Sequence, residues 1–204
     1  MIRKMLALAG LVLTLDACTG PPPPTYSADA FKGIYNRNST SVPTDAPVTV
    51  TAPVGVIFSE NVETYIGYIK DSTAYWGSVV PASLTNTVAV ADNDPIYFAG
   101  RTLAMLKNRF PSAQKVHDLR EAVSTGKKSV ILIDMKLKPM QPYGDRTTRV
   151  EIDAYFFDST MNPVSKLVGQ GAWAVPFASL EMGVQKSIDQ ALAQINEKMA
   201  QYVR

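Results

Sequence analysis

One cysteine, one histidine and almost no surplus of charge, 20 basic against 18 acidic side chains, already close off several kinds of chemistry for this 204-residue chain. A lone thiol cannot form an intramolecular disulfide, so the fold must be held by its own core. A serine or thiol nucleophile that needs an imidazole base would have only His117, and no G-x-S-x-G turn exists to display a serine. His117 is therefore read as an ordinary surface residue. Neither H-E-x-x-H, a cysteine cluster nor EF-hand spacing occurs, so no metal and no cofactor is expected. Basic residues form no run longer than short pairs such as Lys127 and Lys128 and gather on no one face, and no nucleic-acid partner is expected. The tetrapeptide from Gly126 to Ser129 ends like a phosphate-binding loop. It fails that motif because Glu121 stands where its first glycine belongs and a strand pattern, not a helix, follows.

A long apolar run is also missing. The most apolar stretch, Met5 to Leu15, is eleven residues interrupted by Gly10 and Thr14. A spanning helix needs about 20. Preceded by Arg3 and Lys4, the stretch is sized for an export signal occupying residues 1–17. Its removal takes away Arg3, Lys4 and Asp16 and lowers the net charge of +2 by one. Leu15-Asp16-Ala17-Cys18 follows directly and resembles the bacterial lipobox, in which a leucine and two small or apolar residues precede the lipidated cysteine. Asp16 departs from that pattern. The resemblance implies that Cys18 is acylated and holds the mature protein on a membrane, and several acyl chains make such a hold permanent. Thr19, not an aspartate, comes next, which in that family implies the outer membrane on its periplasmic face. Cleavage after Ala17 to leave a free thiol is the alternative.

Residues 18–47 open with Pro21-Pro22-Pro23-Pro24 and show little periodicity, so they read as a semi-rigid spacer, with Phe31, Ile34 and Tyr35 able to pack back. A globular domain is expected over residues 48–204. Its first strand is Pro53 to Ser59, and Ser59 is placed to cap a helix carrying Val62, Tyr65, Ile66 and Ile69 at i, i+3, i+4 and i+7. Gly67 weakens that helix, and an irregular stretch follows to Asn93. Asp94-Pro95 opens a second helix with a stripe of Ile96, Ala99, Leu103, Leu106 and Phe110. A short strand from Lys115 to His117 and a short helix from Asp118 to Ser124, closed by Gly126, come next.

Ser129 to Leu137 alternates as a strand, with Ile131, Ile133, Met135 and Leu137 on one face and Val130, Leu132, Asp134 and Lys136 on the other. Arg146 to Phe157 repeats this, setting Val150, Ile152, Ala154 and Phe156 against Arg149, Glu151, Asp153 and Tyr155. Val164 to Val175 returns after a turn at Asp158–Pro163 as the other arm of a hairpin. A closing helix from about Ser179 carries Leu180, Val184, Ile188, Leu192, Ile195, Met199 and Val203 on one face. The pattern is α+β: a mixed sheet with a C-terminal β-hairpin and helices packed mainly on one face.

That element order, the phrases SVILIDMKL and VEIDAYFFDS, and the closing helix are similar to a group of periplasmic lipoprotein domains. The group includes the TolB N-terminal domain and the penicillin-binding-protein activators, and more loosely the lipopolysaccharide-assembly and YajG-like lipoproteins. Such folds carry unrelated functions, so the resemblance implies an architecture and no residue beyond Cys18. Tyr65, Tyr68, Tyr75 and Trp76 lie within a dozen residues and are candidate anchors for an envelope protein partner; alternatively, the rings complete the core. The expected role is a membrane-anchored, non-catalytic binding or assembly factor. The competing reading is a carboxylate-dependent peptidoglycan hydrolase using Glu63, Glu121 or Glu151. Glu151 and Asp153 are otherwise explained by charge pairing on the polar face of the sheet, with Arg149 on their own strand and Lys136 on a neighbouring one.

The anchor is directly testable. A palmitate analogue fed to cells should label the wild-type protein and leave Cys18→Ala unlabelled. Labelling that survives the substitution overturns the assignment.

Overall fold

The computed structural model describes residues 21–35, 41–79, 94–141, 144–176 and 182–204. Cys18, the stretch read as an export signal, the stretch read as irregular after Val79, and Ser179 with Leu180 lie outside them.

Five strands make one mixed sheet in the order β2-β1-β3-β4-β5. β1 (Val54–Phe58) pairs in parallel with both β2 (Gln114–Lys115) and β3 (Ser129–Lys138). β3, β4 (Thr147–Phe157) and β5 (Pro163–Ala174) run antiparallel, as the alternation and the hairpin turn require. The chain moves from β1 outward to β2, then back past β1 to β3. Parallel crossovers are almost always right-handed, so two crossovers in opposite directions must use opposite faces. They do: α1 (Glu60–Val79) and α2 (Tyr97–Arg109) pack in the larger core with α4 (Val184–Tyr202), while α3 (Leu119–Ser124) packs on the other face. The α+β architecture with most helices on one face stands.

α1 is longer than its sequence suggests. Gly67 and Gly77 each cost about 1 kcal/mol relative to alanine. The buried stripe Val62, Tyr65, Ile69 and Ser72 offsets that, and Glu60 and Glu63 favour the positive end of the helix dipole. Ser59 does not cap this helix with its side chain, which is committed to Asp134 instead.

α2 corrects the expected stripe. The Asp94 carboxylate accepts from the amide of Ile96, closing a turn before the helix and leaving Ile96 69% exposed. The buried residues are Phe98, Thr102 and Leu106, with Ala99 and Leu103 only half-buried. Rotation about the helix axis is fixed from outside, because the Tyr97 hydroxyl donates to both oxygens of Asp189 on α4, at 2.9 and 2.8 Å. The short strand is also displaced, to Gln114–Lys115, so His117 lies beyond it, exposed, with its amide donating to Glu121 at 2.6 Å. Asp118 caps α3 through the amide of Glu121, and Gly126 closes it at φ +71, as the sequence indicates.

α4 seats on β4 and β5 through its expected stripe; Val184, Ile188, Ile195 and Met199 are fully buried, Leu192 and Val203 nearly so. Burying each such side chain contributes about 1.5–3 kcal/mol. The close approach depends on β5 having no side chain where the helix backbone crosses it. A Cβ at Gly169 would lie 2.2 Å from the carbonyl oxygen of Ala191, and one at Gly171 only 1.8 Å from that of Ser187. The same helix covers the exposed edge of β5. Gln194 accepts from the amide of Gln170 and Gln190 from that of Ala172, both at 3.0 Å, while Lys166 farther along exchanges hydrogen bonds with Pro43 and Asp45. Side chains and a loop thus occupy positions at which another strand could add.

Gly171→Val should force α4 off the sheet and cost about 1–3 kcal/mol, read as a lower melting temperature. Gly100→Ala, where an added Cβ meets nothing within 4 Å, should melt no lower than wild type. Equal melting of the two variants would contradict this seat.

Candidate functional site

The sheet face away from the three long helices holds the polar groups. Along β3 and β4 it carries Asp134 directly opposite Asp153 and Lys136 directly opposite Glu151, with Tyr155 opposite Lys166 on β5. That Lys136 and Glu151 stand opposite each other is as the sequence suggests, although the ion pair of Lys136 is with Asp134, at 3.8 Å, and Glu151 accepts from Gln170. The facing of two aspartates is not: like charges directly opposite are destabilising, and here they are also removed from water, Asp134 1% and Asp153 5% exposed.

Cations and donors around them make the arrangement tenable. Asp134 accepts from Ser59 Oγ and, at 2.8 Å, from Asn61 Nδ2, with Lys136 Nζ 3.8 Å away. Asp153 has Lys166 Nζ at 3.5 Å and accepts from the Tyr155 hydroxyl at 3.2 Å. Burial pushes the Asp153 carboxyl above its ordinary range; Lys166 opposes this, and the negative charges of Glu151 and Asp134 add to it. Burial likewise pushes the Tyr155 hydroxyl up, with Asp153 adding to it. Among the described residues, Asp134 Oδ2 and Asp153 Oδ1 are buried without a hydrogen-bond partner.

The cover over this face is the N-terminal segment. Ser27 and Asn61 exchange two hydrogen bonds, at 2.8 and 3.0 Å, which tie the segment to the same asparagine that holds Asp134. Phe31 is 5% exposed and meets the rings of Tyr155 and Phe157 edge-on at 5.1 and 5.6 Å. Ile34 and Tyr35 pack beside it, as their sequence suggests. Residues 21–35, read from composition as part of a spacer, thus lie along the domain. Beneath this segment Asp134 and Asp153 are 1% and 5% exposed and act as a polar fastening for the strap, while a cavity of about 260 Å³ opens beside Tyr155 and Lys166.

Beside the strap a groove of about 590 Å³ opens. Pro23, Pro24 and Tyr26 form one wall, and Lys136, Lys138, Arg149, Glu151 and Gln170 supply its polar groups. Lys138 and Arg149 are exposed, and Gln170 donates to Glu151 at 3.0 Å.

The four aromatic candidates separate. Tyr65 is 1% exposed and meets Phe98 edge-on at 6.1 Å, so it belongs to the core and is withdrawn as a surface anchor. Tyr68 is half-buried against the core, its hydroxyl pushed up to about 12 by burial. Tyr75 and Trp76, half-exposed in the last turns of α1, stack edge-to-face at 5.2 Å. The glutamates weighed for hydrolysis are not gathered: Glu63 is exposed on α1, Glu121 is spent at the start of α3, and Glu151 lies in the groove with Gln170. Among the described residues no group of three or more His, Cys, Asp or Glu side chains could hold a metal. Asp134 and Asp153 were not legible as a site, although an aspartate within the apolar run SVILIDMKL was a signal of a buried, partnered carboxylate.

Asp153 carries a pH prediction. A carboxyl whose native pKa is raised takes up a proton in the folded state before the unfolded one does, so its contribution weakens as pH rises through the raised value. Wild-type stability should decline as pH rises above the ordinary aspartate range, about 3.9, and Asp153→Asn should flatten that part of the curve. Parallel melting curves across pH would contradict the burial effect.

No protein-family model and no curated protein matches the chain. Among solved structures it is similar to the PelC dodecamer from Paraburkholderia phytofirmans, with 11% identity over 78% of this chain and 94% of that one and a TM-score of 0.40. It is also similar to a Leu-to-Met variant of that dodecamer, with 10% identity over 78% and 95% and a TM-score of 0.37. Neither is one of the lipoprotein domains that the sequence resembles.

Proposed function

We propose that this protein is a membrane-anchored lipoprotein of the bacterial envelope that acts as a non-catalytic binding or assembly factor. Cys18 carries the lipid and holds the domain at the periplasmic face of the outer membrane. The observation that most favours binding over catalysis is the burial of the carboxylate pair: Asp134 and Asp153 lie beneath the strap, and among the described residues the groove is lined by one carboxylate, Glu151. A general acid and its partner need access to the bond they cleave.

The working surface on this reading is the end of α1. Trp76 and Tyr75 present a half-exposed aromatic pair, and Tyr68 supports the same helix from below. Tryptophan and tyrosine supply large contact area with few rotatable bonds and are enriched among residues that dominate interfaces. The partner is an envelope protein.

Trp76→Ala should leave melting close to wild type and reduce recovery of the crosslinked partner when the lipidated protein is purified from cells. Tyr68→Ala should cost stability, up to about 3–5 kcal/mol for a fully buried ring and less at its half-buried position. Early melting of Trp76→Ala, or undiminished partner recovery, would remove the end of α1 as the binding surface.

A further inference from the structure

The strap fixes how close the domain stands to its membrane. Four consecutive prolines after a lipidated cysteine read as a spacer, yet here the run does not project away. Pro23 and Pro24 wall the groove with Lys138, Arg149 and Ala172, and the chain then continues through Tyr26, Ser27 and Phe31 down the sheet. Only Thr19 to Pro22 separate Cys18 from the groove. Five Cα steps reach at most about 18 Å, under half the width of roughly 40 Å implied by a chain of this length.

The groove lies at one pole, where β3 ends, β4 begins and β5 ends, since its lining takes Lys138 and Pro139 from one side, Arg149 from the next and Ala172 from the third. The opposite pole carries the hairpin turn at Asp158–Asn162, ten residues along β4. Strand rise of about 3.3 Å per residue puts the two poles some 30 Å apart. Among the charged side chains lining the groove, Lys136, Lys138 and Arg149 outnumber Glu151, and Lys138 and Arg149 are exposed. Lys136 and Arg149 also have carboxylates nearby, Asp134 at 3.8 Å and Asp145 at 2.5 Å, so of these three groove cations Lys138 is the one with no ion pair to a described residue.

We propose, on the reading of Cys18 as the lipidated residue, that this pole rests on the headgroup layer of the bilayer holding the anchor, with Lys138 and Arg149 turned toward anionic phospholipid headgroups. Reach and charge agree in this: the anchor cannot lie beyond the near pole, and that pole offers basic side chains where negative headgroups would be. α1 climbs the same way. Asn61 lies at Asp134, and Ser72, three turns on, touches Met182, whose carbonyl accepts from Thr148 at the start of β4. Trp76 is one turn farther, so the partner it meets is within reach of the membrane.

Acylation consumes the thiol of Cys18, so a cysteine introduced elsewhere is the sole free thiol and can carry a nitroxide. The lipidated full-length protein, with Lys138→Cys or Ser159→Cys, would be placed in vesicles of phosphatidylethanolamine and phosphatidylglycerol containing a nickel-chelating lipid. Both positions are exposed. Relaxation by the surface-bound nickel should be several-fold stronger at 138 than at 159. Equal relaxation, or more at 159, in protein that carries the palmitate label overturns the resting pole and leaves the anchor standing. Protein without the label overturns both. Shielding of position 138 in cells but not in these vesicles would assign the pole to a protein and likewise overturn the proposal. Lys138→Gln tests charge independently: it should weaken the preference for vesicles containing phosphatidylglycerol over uncharged ones about fivefold, the equivalent of ~1 kcal/mol for one basic residue near an anionic surface, and an unchanged preference counts against it.

Discussion

Asp134 is the residue on which the assembly of the outer face depends. It occupies the middle of β3, where its neighbours Leu132 and Ile133 are fully buried, and it is itself almost without solvent contact. Stripping water from a carboxylate costs several kcal/mol unless donors replace it. Those donors come from the first residues after β1: Ser59 at the strand end and Asn61 in the first turn of α1. Satisfying one carboxylate therefore helps to fix where the strand stops and the helix starts. Asn61 uses its remaining capacity on Ser27, so the strap is located by the same requirement. Removing Asp134 would leave Asn61 and Ser59 with unmet donors, and the connection between sheet, helix and N-terminal segment would loosen together.

The two faces of the sheet divide the work. On the inner face, apolar burial under α1, α2 and α4 supplies most of the stability, and absent side chains at Gly169 and Gly171 let α4 sit directly on β5. That proximity brings Gln190 and Gln194 to the strand edge, where they replace a missing neighbour strand. Charges and rings are mixed on the outer face, which is closed by the strap along one part and open at the groove along another. A segment that looks like a spacer thereby becomes part of the domain surface. On the proposal that Cys18 is lipidated, the distance from anchor to folded protein shrinks accordingly, and a composition of prolines bears on orientation.

The strands β3 to β5 and the helix α4 were determined by the sequence itself, because alternation with period two and a stripe with period 3.6 each admit one buried face. Ile131, Ile133, Met135 and Leu137, and Val184 through Val203, needed no knowledge of their neighbours to be placed inside. Caps with local partners, Asp118 and Gly126, were equally legible. Tertiary structure decided what local rules leave degenerate. Tyr97 reaching Asp189 rotated α2 away from its apparent stripe, and a buried face long enough to outweigh two glycines carried α1 through to Val79. Whether Tyr65 faces water depends on α2, whose Phe98 meets its ring; whether Asp134 is a surface charge or a buried fastening depends on Ser59 and Asn61, more than seventy residues away. Periodicity reports which side of an element is buried, but only the packed chain sets what it is buried against.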